Sequence, residues 1–143
     1  MARRMSTSVL VLCLAVGVAA GGDGAIRKGT YSLKRVDESA RPLTNHPSCG
    51  DEASRAFRRV PTLEVAYKGS RESALVNDER WIMVEGRTTM AATKQLTRCA
   101  SFALMLSTQD KTATGTLVYV SKCPDGTIHC GDAVDFAGTY TAP

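Results

Sequence analysis

The chain has 143 residues, with 18 Lys and Arg, 14 Asp and Glu, and five cysteines. This length fits one compact domain and excludes a multidomain enzyme, since a single domain commonly takes about 100–200 residues. A net charge of +4 on a chain that is 43% hydrophobic is too small to prevent collapse, which argues against intrinsic disorder. No run of Lys or Arg exceeds two residues, so the sequence predicts no nucleic-acid partner.

Residues 1–20 have the three parts of a secretory signal peptide. Two arginines stand among the first four residues, an apolar stretch covers residues 9–20, and small residues precede Gly21. The apolar stretch is shorter than the ~20 residues that a membrane-spanning helix needs. We therefore predict cleavage before Gly21 and an exported protein of bacterial origin with no membrane span, secreted or periplasmic. Residues 21–28 are small and polar and predict a flexible N-terminus.

The rest of the chain, residues 29–143, alternates polar and apolar residues in short stretches. This alternation is typical of half-buried strands. It predicts strands at residues 29–36, 62–68, 74–76, 80–85, 98–108, 114–122 and 133–137, with residues 138–141 closing the chain. Such a set of short strands predicts a single all-β domain, an antiparallel seven- or eight-stranded barrel, with a β-sandwich as the alternative.

One region is irregular. Residues 37–61 contain three of the five prolines and little periodicity, which predicts a long loop. Residues 51–59 within it predict a short helix, because acidic residues begin this stretch and basic residues end it, as the helix dipole favours.

A second region, residues 88–108, is ambiguous. Residues 90–96 fit a helix, whereas residues 98–108 fit the first strand of a hairpin. With the turn centred on Lys111, Leu104 would face Val118 and Phe102 would face Val120 across the hairpin.

Signal cleavage would leave four cysteines, and an even number in a small exported domain predicts two disulfides. We favour Cys49–Cys99 with Cys123–Cys130, because the second pair encloses only six residues and closing a short loop costs little entropy. The rival connectivity is Cys99–Cys123 with Cys49–Cys130, since the hairpin register would place Cys99 and Cys123 opposite each other.

The sequence contains no evident catalytic or metal constellation. His46 and His129 lie in loop-like segments without a supporting nucleophile motif. The spacing of Cys123 and Cys130 matches neither the usual zinc nor the usual redox pattern. Acidic residues near His129 are typical of solvated turns: Asp125, Asp132 and Asp135. We predict a non-catalytic protein with no cofactor and no bound metal.

Aromatic residues are the best candidates for binding a small molecule, since such sites are largely apolar and aromatic. The candidates are Trp81, which is the only tryptophan, with Tyr31, Tyr67 and Tyr119. Trp81 also fits an ordinary core position, because large aromatic side chains contribute much of the packing area of a small domain.

Gly29-Thr30-Tyr31 opens the first predicted strand, and Gly138-Thr139-Tyr140 stands near the end of the chain. A short Gly-x-aromatic motif followed by a meander of strands resembles the lipocalin/avidin group of calycin-type secreted barrels. Lipocalins carry Trp at the position of Tyr31, and avidins line their pocket with several tryptophans, so the resemblance covers the general layout. It implies a barrel fold.

Two functions fit this set of observations. The first is an exported, non-catalytic binding protein that holds a small apolar ligand in a β-barrel. The alternative is a protein–protein interaction module, such as an inhibitor of a secreted hydrolase, that uses disulfide-tethered loops at residues 37–61 and 123–130 to contact its partner.

Overall fold

The computed structural model describes residues 27–44, 49–69, 74–84, 90–122 and 129–143. The expected signal peptide at residues 1–20 lies outside the described residues, as does most of the segment 21–28. The described elements, in chain order, are β1 (Gly29–Arg35), β2 (Arg41–Pro42), α1 (Glu52–Arg58), β3 (Thr62–Tyr67), β4 (Ala74–Val76), β5 (Glu79–Val84), β6 (Met90–Thr97), β7 (Ala100–Gln109), β8 (Thr112–Ser121) and β9 (Cys130–Thr141).

Eight of the strands form a closed antiparallel barrel. They are hydrogen-bonded in the order β1-β3-β4-β5-β6-β7-β8-β9, and β9 pairs with β1 to close the ring. The two-residue strand β2 pairs with Asp132 and Ala133, near the start of β9. The predicted all-β barrel is confirmed, with eight strands, and the sandwich alternative is wrong because the sheet closes on itself. Because the barrel is closed, each of its eight strands has a hydrogen-bonded neighbour strand on both sides.

The two Gly-Thr-Tyr motifs face each other where the barrel closes. Tyr31 of β1 is in register with Tyr140 of β9, and their ring centroids are 5.1 Å apart. Leu33 is in register with Gly138. A Cβ atom on Gly138 would collide with the carbonyl oxygen of Ser32, so the glycine allows β1 and β9 to approach closely.

The β7–β8 hairpin has a different register from the predicted one. Gln109 pairs with Thr112, so the turn is Asp110-Lys111, and Leu104 pairs with Leu117. Asp110 adopts a left-handed φ of 54°, which aspartate tolerates in tight turns. The predicted pairing of Leu104 with Val118 is wrong by one residue, and so is that of Phe102 with Val120. A one-residue shift matters, because it exchanges the inner and outer faces of a strand.

Two other expectations are corrected by strand pairing. Residues 90–96 belong to strand β6 and are not helical, because β5 and β7 pair with β6 on its two sides. Gly131-Asp132 is a pair typical of turns and predicts a break in the strand, but no break occurs there. Strand β9 continues through both residues, since β8 pairs with them at Val120 and Tyr119.

We call the end of the barrel where β1 begins and β9 ends the closed end, and the opposite end the open end. Inward-facing side chains fill the barrel towards the closed end and are almost completely buried: Tyr31, Leu33, Val65, Leu104, Leu106 and Phe136. Lys28 and Arg27 lie over this end, because the Tyr140 hydroxyl donates to the Lys28 carbonyl and the Tyr31 hydroxyl donates to the Arg27 carbonyl at 2.6 Å.

The cysteine pairing is not the favoured one. Cys49 is bonded to Cys130, with 5.6 Å between their Cα atoms, so the expected Cys49–Cys99 and Cys123–Cys130 bonds are wrong. The pairing of β2 with β9 brings the segment that leads to Cys49 beside the start of β9, where Cys130 lies. Cys99 is also disulfide-bonded. The rival connectivity pairs it with Cys123, which lies outside the described residues.

An ion pair strengthens the contact between β2 and β9. The guanidinium of Arg41 donates two hydrogen bonds to the Asp135 carboxylate, at 2.9 and 3.2 Å, and the Thr116 hydroxyl donates a third at 3.0 Å. These hydrogen bonds, chiefly the two from Arg41, hold the pKa of Asp135 below its usual range. The Asp135 carboxylate therefore takes part in a structural ion pair with Arg41.

Candidate functional site

The open end of the barrel contains a cleft of about 870 Å³ between helix α1 and the inner faces of strands β3 to β8. Apolar and aromatic side chains form its inner surface: Val60, Leu63, Val76, Trp81, Phe102 and Tyr119. Charged side chains form its rim: Glu52, Arg55, Arg59, Glu79 and Lys94. The volume lies within the range of about 300–1,000 Å³ that is usual for small-molecule sites.

Helix α1 forms one wall of the cleft and is held firmly against the barrel. The predicted helix is confirmed. Its Ala53 and Phe57 are four residues apart, which places them on one face, and both are buried against the barrel. The guanidinium of Arg35, at the end of β1, donates to the carbonyl oxygens of Phe57 and Val60, the latter at 2.7 Å. These bonds satisfy main-chain acceptors at the helix C-terminus.

Four aromatic rings pack together beside the cleft, and we call Phe57, Trp81, Phe102 and Tyr119 the aromatic quartet; all except Phe57 line the cleft. Phe102 is at its centre. Its ring is parallel to that of Trp81 with 6.0 Å between centroids, and it also stacks on Phe57 at 6.1 Å. Tyr119 meets Phe102 and Phe57 edge-on, at 5.9 and 6.5 Å. Offset-parallel and edge-to-face contacts of this kind are the favoured geometries of aromatic pairs.

The indole nitrogen of Trp81 has no hydrogen-bond partner among the residues that the structure describes. The residue is only 5% exposed, and Nε1 is one of two buried side-chain nitrogen or oxygen atoms without a partner among the described residues. Buried indole N–H groups usually have an acceptor, since an unpaired donor costs about 1–3 kcal/mol. Trp81 lines the cleft, but its Nε1 atom is buried away from solvent.

The two carboxylates at the rim both have partners. Glu79 forms an ion pair with Lys94. Glu52 accepts a hydrogen bond of 3.4 Å from the Tyr119 hydroxyl. Burial, with Glu52 as the next cause, raises the pKa of Tyr119, so this hydroxyl remains a donor at neutral pH. Asp132 lies opposite Tyr119 in the β8–β9 register, and burial raises the pKa of its carboxyl.

The two arginines at the rim form no ion pair with another described residue. Arg55 of α1 and Arg59, the C-cap residue that follows the helix, are four positions apart and both line the cleft. The ion pairs found within the described part of the chain involve Arg41 with Asp135 and Lys94 with Glu79, and neither rim arginine.

The structure separates the four aromatic residues that the sequence singled out. Trp81 and Tyr119 lie together in the cleft. Tyr31 is fully buried at the closed end, where burial raises its pKa to about 12, and Tyr67 lies near it at the end of β3. Sequence reasoning missed Phe57 and Phe102. For Phe57 a signal was present, because it follows Ala53 by one helical turn on the apolar side of α1.

The remaining residues weighed for chemistry are described only in part. His129 is exposed, while His46 and Asp125 lie outside the described residues. Throughout the described ranges, no group of three His, Cys, Asp or Glu side chains could hold a metal ion. The same ranges contain no helix that is both long enough and apolar enough to cross a membrane.

Comparison with known proteins adds no relatives. No family model, curated protein or solved structure matches this chain. The function must therefore be argued from the cleft itself.

Proposed function

We infer that the protein is an exported, non-catalytic binding protein that holds a small, largely apolar molecule in the cleft at the open end. The observation that carries this proposal is the cleft of about 870 Å³, whose inner surface is lined by the aromatic residues Trp81, Phe102 and Tyr119. A ligand with an apolar body would lie against these rings.

The shape of the barrel supports the same proposal. The interior is packed towards the closed end, whereas α1 leaves the opposite end accessible through the cleft. A preformed cleft favours binding, because little conformational entropy is lost when a ligand enters.

The proposed setting is outside the cytoplasm. The signal-like features of residues 1–20 and the Cys49–Cys130 disulfide both support export, because structural disulfides persist mainly in oxidising compartments.

A blocking variant tests the proposal. N-phenylnaphthylamine, a neutral apolar dye that brightens when it leaves water, is titrated into the protein. Ala56 of α1 is half-buried and lines the cleft, so Ala56→Trp should fill the cleft and abolish saturable dye binding. Ser54 is an exposed residue of the same helix that does not line the cleft, and Ser54→Trp is the matched control. Thermal unfolding curves should show that both the wild type and Ala56→Trp are folded. Equal dye binding by these two proteins would then overturn the proposal.

A further inference from the structure

We propose that the ligand of this cleft is an organic anion, with an aromatic or aliphatic body against the aromatic quartet and a carboxylate or sulfonate-like group at Arg55 and Arg59. This inference rests on the proposed function and names the chemical class of the molecule bound there. It depends on how the charges at the rim are distributed.

The two arginines are placed as a pair on one side of the cleft. Arg55 of α1 and Arg59 at its C-cap are about one helical turn apart and both line the cleft, whereas Arg58, between them in sequence, does not. Two like charges at this spacing repel each other on a helix surface. An anion bound between them would remove that repulsion, so the arrangement favours an anionic ligand more than a neutral one.

Within the described residues, no carboxylate forms an ion pair with either arginine. Glu79 is paired with Lys94, and Glu52 receives the Tyr119 hydroxyl. Glu52 is three residues before Arg55, but no ion pair within 4.0 Å joins them in the described part of the chain. The guanidinium groups therefore have donors available, and planar guanidinium groups bind carboxylate and sulfonate oxygens through two hydrogen bonds at once.

The apolar part of the ligand would lie deeper than the charge. The aromatic quartet and the aliphatic side chains Val60, Leu63 and Val76 lie inside the barrel, while Arg55 and Arg59 are exposed residues at the rim. The expected ligand is therefore amphiphilic. Apolar contacts with the quartet would supply most of its affinity, and the anionic group would fix its orientation.

Two related dyes separate this inference from the proposed function. Anilinonaphthalene sulfonate and N-phenylnaphthylamine share the same ring skeleton, and only the first carries a negative charge. We expect the wild type to bind the sulfonate about tenfold more tightly than the neutral dye, with an advantage that falls as salt is added. In the double variant Arg55→Ala/Arg59→Ala the ratio of the two dissociation constants should fall to near one.

Arg58→Ala provides the matched control, since it removes one charge from the same helix at an exposed position outside the cleft. Arg58→Ala should keep the wild-type ratio of the two dissociation constants. The charge-reversed variant Arg55→Glu/Arg59→Glu should bind the neutral dye more tightly than the sulfonate. If the wild type binds the neutral dye saturably but shows no preference for the sulfonate, the inference is overturned and the proposed function stands. If neither dye binds, both are overturned. A preference that survives in the double alanine variant would also overturn the inference.

Discussion

Replacing Cys49 and Cys130 together with serine should remove a large part of the stability of this domain. The two cysteines are 81 residues apart in sequence, and for a loop of that length the chain-entropy model gives a stabilisation of about 4.5 kcal/mol. A domain of this size has roughly 5–15 kcal/mol in total. The bond also holds the segment before α1 against β9, so its loss should loosen the helix that forms one wall of the cleft.

Urea unfolding monitored by circular dichroism measures this effect. With a slope of about 2 kcal/mol per molar urea, the midpoint should fall by roughly 2 M in the double-serine variant. The reduced wild type is the control, because once its disulfides are open the two serines should cost little more. A loss below about 1 kcal/mol would refute the reasoning, since the loop would then be held closed by other contacts. Peptide mapping without reduction should find Cys49 linked to Cys130 and Cys99 linked to Cys123.

Three further predictions follow from single residues. Gly138→Ala should cost at least about 3 kcal/mol in urea unfolding, because a Cβ there meets the β1 main chain, whereas Gly50→Ala, which has open space around it, should cost little. Asp135 has a lowered pKa in the folded state, so its stabilising effect exists above the unfolded pKa of about 3.9 and is lost as pH falls through the folded value. Asp135→Asn should therefore cost about 0.5–1 kcal/mol at pH 7 and nothing once the wild-type carboxyl is protonated, which unfolding across a pH series would reveal. Tyr31, with its pKa raised to about 12, should ionise later than the other tyrosines in an ultraviolet titration. The stability of the protein should fall as pH rises from about 10 towards that value, because the folded state favours the neutral phenol. Tyr31→Phe should remove this pH dependence.

Much of the barrel is visible in the sequence because strand alternation has a local cause. Each strand of a barrel faces the core on one side and solvent on the other, so stretches such as Gly29–Arg35 and Thr62–Tyr67 carry period-two patterns. The Asn77-Asp78 turn has a similarly local cause, since both residues adopt the left-handed conformation, with φ of 50° and 65°, that a tight hairpin requires.

The features that the sequence predicted wrongly depend on long-range pairing. The Cys49–Cys130 bond is set by the contact between β2 and β9, which joins parts of the chain that are distant in sequence, so a rule based on short loops favoured the wrong partners. The hairpin register was wrong by one residue because it depends on whether the turn has two or three residues.

The candidate site was predicted only in part, because convergence of side chains is a three-dimensional property. Trp81 and Tyr119 were singled out for their aromatic character, and they do lie together in the cleft. Tyr31 has the same character, but its position near the start of β1 places it at the closed end. Arg55 and Arg59 became candidates only when the structure placed α1 beside the cleft. In sequence, Arg59 indicates only the basic end of a helix, and no signal points to Arg55.

The most direct test of the binding cleft uses the fluorescence of Trp81. It is the only tryptophan in the chain and lies in the cleft, so its emission reports on that site alone. Titration with N-phenylnaphthylamine should quench this emission saturably at one dye per chain, with energy transfer to the dye, because the bound molecule lies against the indole. Tryptophan emission that stays unchanged, or that declines without saturation, would contradict a ligand-binding cleft at the open end of the barrel.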